Sequence, residues 1–177
     1  MSDTAFRINR APVLTLWGTI VAERLGFDHD EALTLGRAVA GLNAYAKGKR
    51  LGLFEPSSSA IHEKRRSAQS ESFEVELMNR AVPVLVTAEG IRALSKGKPT
   101  NPHSVESYLA SKFGDHLAAT ERAMADLATS MPSQQLAQAA FKLYEKFRPD
   151  IPQGVEGWGA AGELRLTDIR RAAMKLA

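Results

Sequence analysis

Apolar residues recur every three or four positions along the first fifty residues, which is the spacing of helices that bury one face. The first stretch predicts a helix that begins near Pro12 and ends before Gly26, because proline fits a first turn and glycine a left-handed cap. Asp28 and Glu31 predict a reciprocal capping box at the start of a second helix, which ends near Gly48. The short joint between the two helices predicts that they are neighbours.

The hydrophobic pattern changes to a period of two after residue 72, which is typical of half-buried strands. Residues 73–78 and 81–86 therefore predict a β-hairpin with its turn at Asn79-Arg80. Pro83 has no backbone N–H, so the second strand is predicted to be an edge strand or to carry a bulge at this position.

The rest of the chain is mainly helical in pattern. The predicted elements, in chain order, are a short helical piece begun by Thr87 and Glu89, a long helix from Pro102 that is capped by Asn101 and divided at Gly114, a helix capped by Ser133 that ends at Phe147, a strand over 163–166, and a last helix capped by Thr167 or Asp168.

These elements predict a mainly α fold with a small antiparallel β-hairpin, an α+β class with a helical bundle-like core. The chain of 177 residues is long enough for one domain with a sizeable core. We therefore predict a single domain over 1–177, with a subdivision into a helix–helix–hairpin unit at 1–99 and a helical unit with a C-terminal clasp at 100–177. The order of elements in the N-terminal half is compatible with a winged-helix-like arrangement.

Composition removes several classes of chemistry. The chain has no cysteine, which excludes disulfides, thiolate nucleophiles and cysteine-ligated metal centres. It has no apolar run of the roughly 18 to 20 residues that cross a bilayer, so the expectation is a cytoplasmic protein without a membrane role. Neither a metal nor another cofactor is expected.

The basic residues are unevenly placed, although the net charge is only +3. Two clusters within the first 66 residues produce the excess, and such clusters attract phosphates. The predicted nucleic-acid-binding residues are Lys47, Lys49, Arg50, Lys64, Arg65 and Arg66. Arg37 and Asn43 are the obvious candidates on the second helix for reading base edges. The leading expectation is a small, non-enzymatic regulatory protein that binds DNA or RNA.

The alternative is a protein–protein interaction or self-assembly module without a nucleic-acid role. The apolar stripe from Val105 to Leu127 and the amphipathic helix from Gln134 to Phe147 together predict a helical hairpin. Such a hairpin either covers its apolar face with a partner or a second copy, or packs on the first pair of helices.

Enzymatic and metal chemistry receive little support from residue spacing. None of the four histidines stands in a His-x-x-x-His pattern, and the acids beside His29 are explained by helix capping. His116 fits a packing role on the apolar stripe. Gly157, Gly159 and Gly162 match the dinucleotide fingerprint formally, but a strand follows them where that motif requires a helix, and Trp158 is interpreted as an anchor of this loop.

Overall fold

A computed structural model describes residues 5–50, 72–150 and 161–174 of the chain. The elements are β1 Ala5–Asn9, α1 Arg10–Arg24, α2 His29–Arg50, β2 Ser72–Leu77, β3 Arg80–Thr87, β4 Gly90–Ser95, β5 Lys98–Pro99, α3 Pro102–Phe113, a single 3-10 turn Gly114–His116, α4 Leu117–Thr129, α5 Ser133–Phe147, β6 Ala161–Arg165 and α6 Leu166–Met174. The predicted fold class, mainly helical with a small antiparallel sheet, is confirmed.

Helices α1 and α2 form the centre of the fold, and glycines let them approach closely. A Cβ atom built on Gly18 would lie 3.0 Å from the Cα of Gly36, so the two backbones touch at this crossing. The joint between the helices follows the prediction, because Gly26 has a φ of 114° that favours glycine. Asp28 and Glu31 form the predicted capping box, in which each backbone N–H donates to the other side chain, at 3.1 and 2.8 Å.

The start of α2 is also bonded to the sheet. The backbone N–H of Ile91 donates to Oε2 of Glu31 at 2.8 Å, and that of Ala93 donates to the hydroxyl of Thr34 at 3.1 Å. Thr34 is fully buried and donates its own proton to the carbonyl of Glu31. The capping carboxylate therefore holds strand β4 as well as the helix end.

Strands β2 to β5 form an antiparallel meander in the order β2-β3-β4-β5. The predicted hairpin is present, but its turn is one residue earlier than expected. Met78 and Asn79 occupy the two central positions with φ angles of 52° and 64°, while Arg80 already pairs with Leu77. Positive φ at both central residues is the geometry of a two-residue hairpin turn, and asparagine tolerates it well.

Pro83 lies where strand β3 has one neighbour. It pairs with Glu74 on β2, whereas the pairing of β3 with β4 begins only at Val84. The pairing with β2 runs through Pro83 without a bulge. Residues 84–87 of β3 lie between β2 and β4. Pro83 lies in the part of β3 that pairs only with β2, so its missing N–H removes no hydrogen bond to β4.

The helical piece predicted from Thr87 is wrong, because residues 90–95 form strand β4. Gly90 has a φ of 122°, and the hydroxyl of Thr87 donates to its carbonyl at 2.7 Å, which closes a turn back onto β3. Lys96 and Gly97 then adopt φ angles of 54° and 80° and reverse the chain again. Gly90 and Gly97 therefore belong to the turns that flank β4.

The N-terminal strand β1 pairs with β6 near the C-terminus, in an antiparallel register that joins Ile8 to Gly162. The sequence predicts the second of these strands but not its partner. Gly162 is required at this position because a Cβ would collide with the backbone carbonyl of Asp150. This close approach gives the last glycine of the fingerprint-like motif a structural role, and Gly157 and Gly159 lie outside the described residues.

The four helices that the structure describes after residue 101 follow the predicted pattern with small shifts. Asn101 caps α3 by accepting from the N–H of His103 at 2.9 Å, and the helix divides at Gly114 as predicted. The predicted cap at Ser133 is wrong by one residue, because Pro132 holds the cap position and its carbonyl accepts from Leu136. The last helix begins at Leu166, before the predicted caps.

The apolar stripe of α3 and α4 is covered by the chain itself. Val105, Leu109, Phe113, Met124 and Leu127 are each at most 3 % exposed and belong to one core cluster with α1 and α2. This packing on the first helix pair leaves the proposed self-assembly face without an exposed apolar stripe. Among the described residues, no helix is both long and apolar enough to span a bilayer.

Helix α5 is joined to α1 by a cluster of aromatic rings. Trp17 is fully buried and meets the ring of Phe147 edge-on at 5.4 Å. Phe147 in turn meets Tyr144 at 6.0 Å. Burial raises the pKa of Tyr144 to about 12, although Arg148 and Arg10 oppose the rise. The phenol therefore stays neutral in the folded protein across the physiological range.

Candidate functional site

A cleft of about 620 Å³ opens between four helices of the bundle. This volume falls within the range of natural small-molecule sites, about 300 to 1,000 Å³. The lining residues are, by helix, Leu16, Thr19, Ile20, Glu23 and Arg24 on α1, His29 and Leu33 on α2, Glu106 and Leu109 on α3, and Leu117, Glu121, Ala125, Ala128 and Thr129 on α4.

Each helix contributes one face to the cleft. The lining residues of α1 and α4 recur three or four positions apart, which places them on a single side of each helix. Leu16, Leu33, Leu109 and Ala128 are at most 3 % exposed and form an apolar floor. The charged residues lie on the same faces of these helices, around the opening of the cleft. The cleft therefore has an apolar floor and a charged rim.

His29 stands between two carboxylates at this rim. Its Nδ1 lies 3.5 Å from an oxygen of Glu23, and its Nε2 lies 3.6 Å from an oxygen of Glu106. A neutral imidazole has one N–H and can serve only one of these acceptors, whereas an imidazolium can serve both. A neutral ring can therefore donate to only one of the two carboxylates.

Glu121 completes the acidic rim from the side of α4. Partial burial raises its pKa, His29 opposes the rise, and the negative charges of Glu23 and Glu106 add to it. Because Glu23 and Glu106 both raise the pKa of Glu121, the three carboxylates lie within electrostatic reach of one another. A cation that enters the cleft relieves their mutual repulsion.

The cationic side chain of the lining, Arg24, is turned toward a neighbouring loop. One of its terminal nitrogens lies 3.4 Å from the carbonyl of Met131, and its Nε is buried without a hydrogen-bond partner. The cleft thus carries three carboxylates against one guanidinium, and its charge is opposite in sign to that of the chain, +3.

The hydroxyl groups of the lining are already committed. The side chain of Thr19 donates to the carbonyl of Thr15 at 2.8 Å, and that of Thr129 donates to the carbonyl of Ala125 at 3.0 Å. A nucleophile needs a base beside its hydroxyl, and these protons point to their own helices. In the described part of the cleft, neither threonine hydroxyl is therefore paired with a base that would activate it.

Metal chemistry finds no support in the described residues, where no group of three or more potential ligands converges on one point. The two nitrogens of His29 face different carboxylates, on opposite sides of the ring. A metal site needs several ligand atoms directed at one centre.

Three of the six predicted nucleic-acid-binding residues belong to the part of the chain that the structure describes. Lys47, Lys49 and Arg50 fall in the last turn of α2, whose backbone is described but whose side chains are not. Lys64, Arg65 and Arg66 lie outside the described residues. The binding role of this segment stays a prediction.

The two candidates for reading base edges have contacts inside the chain. The guanidinium of Arg37 stacks over the ring of Tyr108 at 4.8 Å, and the side chain of Asn43 accepts from Arg80 at 3.1 Å. Side chains held in this way contribute to packing between helices and sheet.

The other histidine predictions have mixed outcomes. His116 stacks on Phe6 with 4.2 Å between ring centres, which confirms its packing role. Capping explains Asp28 and Glu31, as expected, but the partners of His29 are not these sequence neighbours. Its partners come from the last turn of α1 and from α3, and the only signal in the sequence is that Glu23 precedes His29 across the Gly26 joint.

Comparisons with known proteins leave this geometry as the guide to function, since no protein-family model, curated protein or solved structure matches the chain.

Proposed function

We propose that this protein binds a small organic molecule in the cleft between α1, α2, α3 and α4. The observation that carries the proposal is the combination of an apolar floor with charged groups at the rim of a space of about 620 Å³. This combination is typical of ligand sites, in which apolar walls supply affinity and a few polar groups fix orientation.

Ligand binding in the cleft requires no rearrangement of the hydrophobic core. Its floor residues belong to the same hydrophobic cluster that joins α1 to α3 and α4. A floor held by buried leucines is preorganised, so little conformational entropy is lost when a ligand binds.

A neutral aromatic probe tests the proposal. We expect 2-phenylethanol to bind with a Kd on the order of 1 mM, as expected for a small neutral ligand. Titration of methyl-labelled protein followed by NMR is expected to shift the signals of Leu109 and Leu117 first, since both line the cleft.

A matched pair of variants locates the binding. Ala125 and Ala118 are both exposed on α4, but only Ala125 lines the cleft. Ala125→Trp is expected to fill the cleft and abolish the shifts, while Ala118→Trp leaves them unchanged. Binding that survives Ala125→Trp, or an absence of binding by probes of any charge, contradicts the proposal.

Nucleic-acid binding is a second candidate function, and the length of α2 favours it. The helix continues to Arg50, so Lys47, Lys49 and Arg50 share its last turn. Clustered cations of this kind contact phosphates in many DNA- and RNA-binding proteins. A helix C-terminus also favours cations by itself, so binding has to be measured directly.

We expect binding to random duplex DNA or single-stranded RNA to fall steeply as salt is raised toward physiological concentration. Glu substitutions at Lys49, Arg50, Lys64 and Arg65 are expected to abolish it with little loss of stability. The control carries the same charge change at exposed positions of other helices: Lys112, Arg122, Lys142 and Arg170, each to Glu. Equal loss in both variants, or no binding at low salt, contradicts this function.

A further inference from the structure

We infer that the ligand of the cleft is a primary ammonium ion attached to an apolar body. The inference rests on the proposed binding function and adds the chemical class of the ligand. It is carried by the arrangement of Glu23, Glu106 and Glu121 around the mouth of an apolar cavity.

The number of acceptors matches a primary ammonium group. Such a group has three N–H donors, and a carboxylate from each of α1, α3 and α4 lines the cleft. His29 stands between Glu23 and Glu106, with its two ring nitrogens 3.5 and 3.6 Å from their oxygens. A ligand ammonium supplies the donors that a single imidazole cannot.

Two other kinds of cation fit this cleft less well. A quaternary ammonium has no N–H donors and is normally held by a cage of aromatic rings, whereas the described lining contains no phenylalanine, tyrosine or tryptophan. A bare metal ion requires several ligands close to one point, and no group of three is found in the described residues. An ammonium ion needs only a hydrogen bond to one carboxylate and the attraction of the others. The donor-rich ammonium is the cation that the rim can bind through hydrogen bonds.

The floor determines the rest of the ligand. The floor beneath the rim consists of the nearly fully buried Leu16, Leu33 and Leu109. An apolar group that binds against this floor is removed from contact with water, which is favourable. A short polyamine has a charged group within a few methylenes of every carbon, so it has no separate apolar body to place on these leucines. The cleft therefore favours an alkyl or aryl amine.

A series of probes with one phenyl ring tests the charge selectivity. At pH 7 and low salt, we expect 2-phenylethylammonium to bind at least tenfold more tightly than 2-phenylethanol, because charge-assisted hydrogen bonds are stronger than neutral ones. Phenyltrimethylammonium is expected to bind no more tightly than the alcohol, and 3-phenylpropanoate is expected not to bind. The same NMR titration gives all four constants.

A charge-removing variant assigns the selectivity to the rim. Glu121→Gln is expected to weaken binding of the ammonium probe roughly threefold to tenfold and so to narrow its advantage over the alcohol. Glu145→Gln removes an exposed carboxylate of α5 that does not line the cleft, and it is expected to change neither.

The outcomes separate this inference from the binding function. If the alcohol binds in the cleft but the ammonium ion binds no more tightly, the inference is overturned and the binding function stands. Equal binding of the ammonium and trimethylammonium probes, or unchanged selectivity in Glu121→Gln, also overturns it. If no probe binds at all, both fail.

Discussion

Replacement of Gly36 by alanine is expected to lower the free energy of unfolding by roughly 2 to 3 kcal/mol, because the new methyl group has no room. A Cβ at this position would collide with the carbonyl oxygen of Thr15 and lie 2.7 Å from the backbone nitrogen of Thr19. Both obstacles are backbone atoms of α1, and α1 cannot move away without separating the two helices. Urea denaturation followed by circular dichroism measures the loss.

Gly41 provides the control in the same helix. Nothing lies within 4 Å of a Cβ built there, and the residue is exposed. Gly41→Ala is therefore expected to raise the free energy of unfolding by about 0.5 to 1 kcal/mol, since alanine favours the helix. If Gly36→Ala is also neutral or stabilising, the close crossing of α1 and α2 is wrong.

Elements whose ends are marked by neighbouring residues could be predicted from the sequence. The capping box of Asp28 and Glu31 and the cap at Asn101 involve bonds between residues at most three positions apart. Such signals are complete within a short window of sequence. The start of α2 and the start of α3 were therefore predicted correctly.

Pairings between distant segments could not be predicted in the same way. Strand β1 has only five residues, and its partner β6 lies at the other end of the chain. Strand β4 was misinterpreted as a helix because its glycine-flanked apolar residues fit both periods over so short a run. Its conformation depends on pairing with β3 and on the bonds of Ile91 and Ala93 to α2, which local periodicity does not contain.

The candidate site depends on such distant contacts throughout. Residue spacing could not join His29 to a carboxylate, and its sequence neighbours suggested only a cap. The fold brings it to Glu23 across the α1–α2 joint and to Glu106 from a helix more than seventy residues later. The basic residues, by contrast, attract notice because they are clustered in sequence, whether or not they share a function.

Truncation of Trp17 to alanine is expected to cost about 3 to 5 kcal/mol, which is a large part of the 5 to 15 kcal/mol that stabilises a typical domain. The side chain is fully buried, and its indole N–H donates to the carbonyl of Ala140 on α5 at 2.9 Å. Loss of the ring removes both this bond and the edge-on contact with Phe147. Thermal and urea unfolding measure the effect.

Two further variants identify the cause of this loss. Trp17→Phe keeps an aromatic ring but removes the donor to Ala140, so its cost is expected to lie between zero and that of Trp17→Ala. Phe73→Ala truncates an aromatic residue that is 44 % exposed on β2, and its expected cost is below about 1 kcal/mol. Similar losses in Phe73→Ala and Trp17→Ala would contradict the packing of α5 on α1, because buried and exposed rings then contribute alike.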